Sequence, residues 1–229
     1  MAMKETLVSR VTRSKEQAKA SYDRMSRWYD ILASSSERKF RDAGLQRLNV
    51  KEGEVVLEIG FGTGHSILSL AGAVGDSGKV YGIDISPGMR AVTKQRVFQA
   101  GLTDRVALRL GDAAQLPFEE QYFDAVYSSF TLELFDTPEI PIVLQECRRV
   151  LRNGGRICVV SMAKKEADSV AVRIYEWFHE KLPAYVDCRP IFVQKSLADA
   201  GFQILDVTEM PYWGLPVQIV LGISPPDRR

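Results

Sequence analysis

The chain has 229 residues, of which 45% are hydrophobic and 26% charged, with a net charge of +1. That is an ordinary globular mixture, long enough for one large α/β domain. The near-neutral balance argues against a grip on nucleic acid through overall charge, which needs basic patches facing phosphates.

The three cysteines, Cys147, Cys158 and Cys188, show neither CxxC nor Cys/His ligand spacing. They do not suggest a disulfide framework, and Cys147 and Cys158 are expected as buried thiols of a cytoplasmic protein. His65 and His179 are the only histidines, so no metal site is expected. The opening "MAMKETLVSR" has no apolar stretch of the secretory kind. The uncharged part of 210–226 is interrupted by prolines and glycines, so no transmembrane segment is expected.

In chain order, residues 15–48 have helical apolar spacing. Tyr22, Met25, Tyr29 and Leu32 share one face, and Phe40, Gly44, Leu45 and Leu48 another. "EVVLEI" (54–59) is a short β-branched run bounded by turn residues, hence a buried strand. "HSILSLAGAV" follows as a helix, and "KVYGID" (79–84) as a second strand. Ser86 can cap the next helix, with Pro87 in its first position and Gly101 at its end. "RVALRL" (105–110) and "FDAVYSS" (123–129) are the third and fourth strands. "EIPIVLQECRRVL" places Ile140, Leu144, Cys147 and Leu151 on one helical stripe. "NGG" then turns the chain into the fifth strand, "RICVVSM".

Val170, Ile174, Trp177 and Phe178 mark a further helix, ending near Pro183. Another is expected over 190–200, stopped by Gly201. "FQILDV" and "PVQIVLG" are joined by a link too short for a parallel crossover, so they pair antiparallel. The expectation is an α/β fold: a Rossmann-like, doubly wound sheet of seven strands, five parallel plus a C-terminal antiparallel hairpin. Residues 1–50 form an N-terminal helical lid segment, and 51–229 the core of a single domain.

An open parallel sheet binds its ligand beyond the carboxyl ends of its strands, at the switch point. "VVLEIGFGTGHS" puts Gly60, Gly62 and Gly64 there, directly after the first strand. A dinucleotide loop needs GxGxxG, whereas this spacing is GxGxG, with His65 where that pattern needs its last glycine. A lone glycine pattern is weak, so the neighbouring acids decide. Glu58 ends the first strand, Asp84 the second, and Asp112 follows the third. A carboxylate at the second strand end offers two acceptor oxygens to a ribose. A pyrophosphate would prefer positive charge; a ligand with an ammonium and a sulfonium, and no phosphate, suits these acids better.

"VVLEIGFGTGHS", "VYGIDISPGM", "GDAAQLPF" and "RVLRNGGRICVVSM" together resemble the successive motifs of class I S-adenosylmethionine-dependent methyltransferases, over about 50–162. "YDRMSRWYDIL" and "RVLRNGGRICVVSM" resemble most the ubiquinone/menaquinone biosynthesis C-methyltransferases. Ser26 stands where that family's signature has Asn, and "RNGG" where it has "KPGG". The resemblance implies S-adenosyl-L-methionine as cofactor. It implies Gly60, Gly62 and Gly64 beneath the methionyl part and ribose, and Glu58 orienting the loop or the amino group. Asp84 would take the ribose hydroxyls, with Ile85 and Met89 near the adenine. Asp112 would accept from the adenine amino group, with Ala113 lining the ring. Ser128 and Ser129 would face the reacting end.

Each assignment has a plainer reading. Glu58 could serve only loop N–H groups, Asp84 could cap a helix beside Ser86, and Asp112 could cap a turn. Tyr29, Glu133 and His179 are candidates for acceptor chemistry, against ordinary packing or solvation. His65, in a first helical turn, reads as solvated or backbone-bonded. The expected activity is methyl transfer to a small hydrophobic or lipid-like acceptor such as a quinol precursor, in the cytoplasm, with peripheral membrane contact compatible. Phospholipid headgroup N-methylation is the alternative. A nucleic-acid or protein methyltransferase is disfavoured by "SSFT" in place of the Asp/Asn-Pro-Pro-aromatic stretch of amino-directed DNA enzymes. An NAD-dependent oxidoreductase is opposed by the failed GxGxxG. A non-catalytic cofactor-binding module stays open.

Overall fold

The computed structural model describes residues 34–164, 189–212 and 214–226, together with residues 11, 16, 17, 19, 20 and 23. The helices are α1 (Ser34–Leu48), α2 (His65–Ala73), α3 (Pro87–Gln99), α4 (Ile140–Val150) and α5 (Val193–Asp199). The strands are β1 (Val55–Ile59), β2 (Lys79–Asp84), β3 (Val106–Leu110), β4 (Phe123–Ser129), β5 (Leu151–Met162), β6 (Gln203–Tyr212) and β7 (Leu215–Ile223).

They form one seven-stranded sheet in the order β3-β2-β1-β4-β5-β7-β6. β1 to β5 pair in parallel, and β7 runs antiparallel to both β5 and β6. The expected five-plus-hairpin sheet is therefore the observed one. The chain leaves β1 toward β2 and β3, then returns to the other side of β1 for β4. β1 and β4 thus flank the switch point, where their outgoing loops diverge.

The central strands are buried on both faces, which is why they read as β-branched runs. Phe40, Ile67, Val97, Tyr127 and Val160 lie in the layer on one face. Leu57, Leu144, Ile157 and Leu197 lie in the layer on the other. α1 belongs to the first layer: Phe40 and Leu48 are fully buried, and the Tyr127 hydroxyl donates to the Arg41 carbonyl at 2.9 Å. Gly44 lets this helix lie close, since a Cβ there would come within 2.5 Å of Val160.

Ser86 caps α3 as expected, its Oγ accepting from Met89 N at 3.1 Å, with Pro87 in the first turn. Gly101 closes that helix at φ +68°, the left-handed turn that glycine adopts without Cβ strain. Cys147 and Cys158 are buried free thiols, pushed up to about 12 chiefly by burial.

Three boundaries differ from expectation. Leu151 opens β5 rather than closing α4, and the "NGG" turn is absorbed as a register shift between the Phe123 and Ala125 pairings. The helix expected from 190 begins at Val193. Ile191 N donates to the Met162 carbonyl, and Lys164 N to the Ile191 carbonyl, so the chain is extended there. β6 runs past "FQILDV" to Tyr212, with Pro211 opposite Pro216. An edge strand tolerates this proline because its missing N–H faces outward. Tyr22, Met25, Trp28, Tyr29 and Leu32, the helix around Ile174 and Trp177, Cys188 and His179 lie outside the described residues. No described helix is long and apolar enough to cross a membrane.

Candidate active site

The loop leaving β1 is held by backbone bonds before any ligand is considered. Gly60 N donates to the Ile83 carbonyl at 2.8 Å, which ties the loop to β2. Gly62 N donates to Asp84 Oδ2 at 2.9 Å. From α3, Thr93 Oγ1 donates to the Gly62 carbonyl at 2.8 Å and Arg96 Nη1 to the Thr63 carbonyl at 2.8 Å. The loop's own donors and acceptors are thus fixed by the neighbouring element.

The three glycines do different things. All have positive φ: +69° at Gly60, +49° at Gly62 and +85° at Gly64. A Cβ on Gly60 would fall 2.3 Å from Thr131, and one on Gly64 2.5 Å from Thr93. A Cβ on Gly62 would meet nothing within 4 Å. Gly60 and Gly64 are glycine because protein fills the space; Gly62 presents bare backbone to an open cradle.

The acids divide likewise. Asp84 is half-buried at the end of β2, with Oδ2 on Gly62 N and Oδ1 accepting from Ser86 N at 2.9 Å. It joins the glycine loop to the β2–α3 turn. Burial raises its pKa, while N–H groups of Ser86, Gly62 and Ile85 oppose the rise. Each carboxylate oxygen has two acceptor sites, so these bonds leave Asp84 capacity for hydroxyls. Glu58 is 2% exposed, and burial pushes its carboxyl well up despite a hydrogen bond with Ser66. Its Oε2 is buried without a hydrogen-bond partner, the kind of orphan that a ligand donor completes.

Asp112 follows β3 and accepts from Ala114 N at 2.9 Å, a local turn. Ala113 is buried against the second core layer, and Ile85 is half-exposed beside Asp84. Met89 is 2% exposed and lies in the first core layer beneath α3. Across the switch point, Ser128 Oγ is a second buried atom without a partner, while Ser129 is half-buried at the end of β4. Glu133, in a short turn after β4, is fully buried, with Oε1 accepting from Met162 N at 3.2 Å and Oε2 orphaned. Burial pushes it up to about 8, so it holds a proton at neutral pH.

His65 is fixed rather than solvated: Arg96 Nη1 lies 3.1 Å from its Nε2. Arg has donors only, so Nε2 is the acceptor and the ring is neutral. Burial, then Arg41 and Arg38, lower its pKa. No cluster of three metal-ligating side chains exists among the described residues.

Sequence reasoning missed Thr93, Arg96, Thr131 and Asp23. Thr93 and Arg96 stand three apart on α3, a spacing indistinguishable from any helix face until the packing is known. Asp23 Oδ1 accepts from Ser86 Oγ at 2.5 Å and from Gly88 N at 3.0 Å, in the first turn of α3. Nothing in the sequence pairs residue 23 with residue 86.

Residues 56–155 match the family described as a methyltransferase domain. The demethylmenaquinone methyltransferase of Bacillus subtilis (strain 168) is 31% identical over 165 residues, covering 72% of this chain and 68% of the relative. The chain belongs to this family of S-adenosylmethionine-dependent methyltransferases. It is therefore an enzyme that uses S-adenosyl-L-methionine. In fold it matches a SAM-dependent methyltransferase from Aquifex aeolicus, with TM-score 0.61 and 23% identity over 80% of this chain and 88% of that one. It also matches the [4+2]-cyclase SpnF, with TM-score 0.74 and 19% identity over 93% and 97%. That pair shows the fold alone, since one architecture serves a cyclase and a methyltransferase.

The described residues fit the cofactor. Open space over Gly62 admits its backbone-facing part, Asp84 can accept hydroxyls, and orphaned Glu58 Oε2 can receive an ammonium. Asp84 and Glu58, the acids at this cradle, suit a cationic ligand without phosphate.

Proposed function

We infer that this methyltransferase acts on a quinol precursor of the demethylmenaquinone kind, adding the methyl group to a ring carbon. The likeness to the Bacillus subtilis demethylmenaquinone methyltransferase, spanning 72% of this chain, carries the reading. In this reading Gly62, Glu58 and Asp84 hold the cofactor, with Asp112, Ala113, Ile85 and Met89 on its adenine side. Gly60 and Gly64 keep the loop in shape. Ser128, Ser129 and Glu133 belong to the acceptor side, at the ends of β4 and β5.

Bound in this cradle, S-adenosylmethionine supplies an electrophilic methyl group on a sulfonium. The chain's contribution is placement. A loop fixed at Gly60, Gly62 and Thr63 does not reorganise during the reaction, and orientation of this kind is worth ~7–11 kcal/mol of a displacement barrier. Methylating a phenolic ring carbon also requires loss of a ring proton. Glu133 holds its own proton at neutral pH, so it suits donation to an acceptor oxygen better than proton removal. In this reading the N-terminal segment, which carries Tyr22, Trp28 and Tyr29, would serve as a lid that excludes water.

Such an acceptor carries an apolar tail, so a cytoplasmic chain making peripheral membrane contact fits it. The test is methyl-labelled cofactor with reduced demethylmenaquinone in one vessel and phosphatidylethanolamine vesicles in another. Label in the quinone supports the reading; label only in phospholipid replaces it with headgroup methylation. A chain lacking residues 1–35 tests the lid: it should bind cofactor and lose methyl transfer.

A further inference from the structure

Among the described residues, three other than glycine have positive φ: Asn49 at +50°, Gln121 at +52° and Phe130 at +50°. Asn49 and Gln121 are exposed turn residues. Phe130 is buried, directly after β4, and a bulky side chain in this region is strained. Such strain persists only where the surroundings impose it, and it gathers at working sites. Here the surroundings are plain. Phe130 N donates to the Val160 carbonyl at 2.8 Å, so its backbone still follows β5. Its ring packs edge-on against Phe40 at 6.0 Å and tilted against Tyr212 at 6.4 Å.

The kink directs the next residue across the end of β1. A Cβ on Gly60 would fall onto Thr131 Cγ2 and Oγ1, so the branched end of Thr131 rests where a Gly60 side chain would stand. Thr131 Oγ1 donates to the Ser129 carbonyl at 3.0 Å, within its own turn, and lies 3.4 Å from the Gly60 carbonyl. The contact between the two loops is therefore mainly steric. One loop carries Gly62 and its open cradle. The other runs between the two orphaned acceptor-side atoms, Ser128 Oγ and Glu133 Oε2.

We propose that Thr131 is a positioning residue: its branched side chain, pressed onto Gly60 by the kink at Phe130, sets the spacing between the acceptor-side turn and the cofactor loop. This rests on the cofactor and acceptor placements given above. Methyl transfer needs acceptor atom, methyl carbon and sulfur in line, and this spacing governs that alignment more than the binding of either partner.

The experiment uses the full chain, methyl-labelled S-adenosylmethionine with reduced demethylmenaquinone for turnover, and S-adenosylhomocysteine for affinity. Thr131→Ala should lower kcat roughly tenfold to a hundredfold, the scale of a ~1 Å misplacement. The acceptor KM and S-adenosylhomocysteine affinity should stay within about threefold of wild type, since alignment and not binding is lost. Thr131→Val keeps the branched shape and should restore kcat. An unchanged kcat in Thr131→Ala, or a fall no larger than the loss of S-adenosylhomocysteine affinity, overturns the proposal. A Thr131→Val chain as slow as Thr131→Ala overturns the steric contact. Thermal melts without ligand read that contact independently of turnover: Gly60→Ala should cost less stability in a Thr131→Ala background than alone. Equal costs overturn the proposal. A wild type that binds S-adenosylhomocysteine without methylating the quinol overturns the acceptor reading, a separate result, and one that binds neither overturns the cofactor placement.

Discussion

The ends of β1 and β2 and the ends of β4 and β5 are finished differently. On the first side most polar groups are paired within the protein, Asp84 taking two N–H groups and Thr93 and Arg96 reaching two loop carbonyls, with Glu58 Oε2 left open for the cofactor. On the second side buried polar atoms are left open, at Ser128 Oγ and Glu133 Oε2. A cofactor shared by many enzymes can be met by a rigid cradle. An acceptor is met by side chains whose partners arrive with it, because an unpaired buried group selects the ligand that completes it.

The sharpest break in this comparison is Asp84→Ala. It removes the acceptors for Gly62 N and Ser86 N together with those offered to the ribose. Hydrogen bonds to a charged group are worth ~1.5–3 kcal/mol each, so cofactor affinity should fall by about 3 kcal/mol or more, over a hundredfold. Calorimetric titration of the folded variant measures this. Wild-type affinity would remove Asp84 from the site.

Next come the glycines. Gly64→Val puts a branched side chain at φ +85° against Thr93 and should cost stability of roughly 3 kcal/mol, within the range for overpacking plus backbone strain. Gly62→Val meets open space, so its stability cost should stay near the ~1 kcal/mol of a left-handed non-glycine residue, while cofactor binding falls. Thermal melts and binding isotherms of both variants should therefore rank oppositely. If Gly62→Val binds normally, the cofactor does not lie over that backbone.

Much of the cradle side was legible because it is local. The strand runs, the Ser86–Pro87 cap and the GxGxG spacing all fall within a few residues of one another, and alternation or turn chemistry marks them. The partners were not legible, because Thr93, Arg96 and Thr131 reach the loop, and Asp23 the first turn of α3, through folding rather than spacing. The acceptor side was least legible. Glu133 sits in an unremarkable "TLELF", and only burial beneath the β5 end distinguishes it from a surface acid. Ile191 shows the same effect in the backbone: a helical pattern gave way to a bridge with Ala163 because the end of β5 needed a partner.

Glu133 gives a smaller, pH-dependent effect. Its folded pKa is raised, to about 8 from an ordinary 4.5. Between those values the unfolded chain has released this proton and the folded chain has not. Stability from this group is therefore fullest below pH 4.5, and falls as pH rises toward 8, by at most about 1.4 kcal/mol per unit. Glu133→Gln keeps an acceptor for Met162 N and removes the titration. Urea midpoints at about pH 5.5 and about pH 7.5, both inside that window, should differ less in the variant than in the wild type. Equal differences would mean that Glu133 is ionised in the folded chain.

The smallest effect is expected at Arg96, and it tests how much of the cradle's rigidity comes from α3. Its Nη1 reaches both the Thr63 carbonyl and His65 Nε2. Lysine keeps the charge but has a single nitrogen and a different reach, so Arg96→Lys should lose one of the two bonds. A typical net bond contributes about 1 kcal/mol, and cofactor binding should weaken by about fivefold or less, because Thr93 and Asp84 still hold the loop. The lost bond is identified by the ring. Burial, then Arg41 and Arg38, lower the His65 pKa, and a donor aimed at Nε2 also favours the neutral imidazole. If the substituted ammonium keeps the Thr63 carbonyl and releases His65, the His65 midpoint, followed by NMR, moves up toward its ordinary value while affinity barely changes. If it keeps His65 and releases Thr63, affinity falls and the midpoint stays. A variant unchanged in both would show that the loop stands without α3's arginine, and that Asp84 and Thr93 alone set its shape.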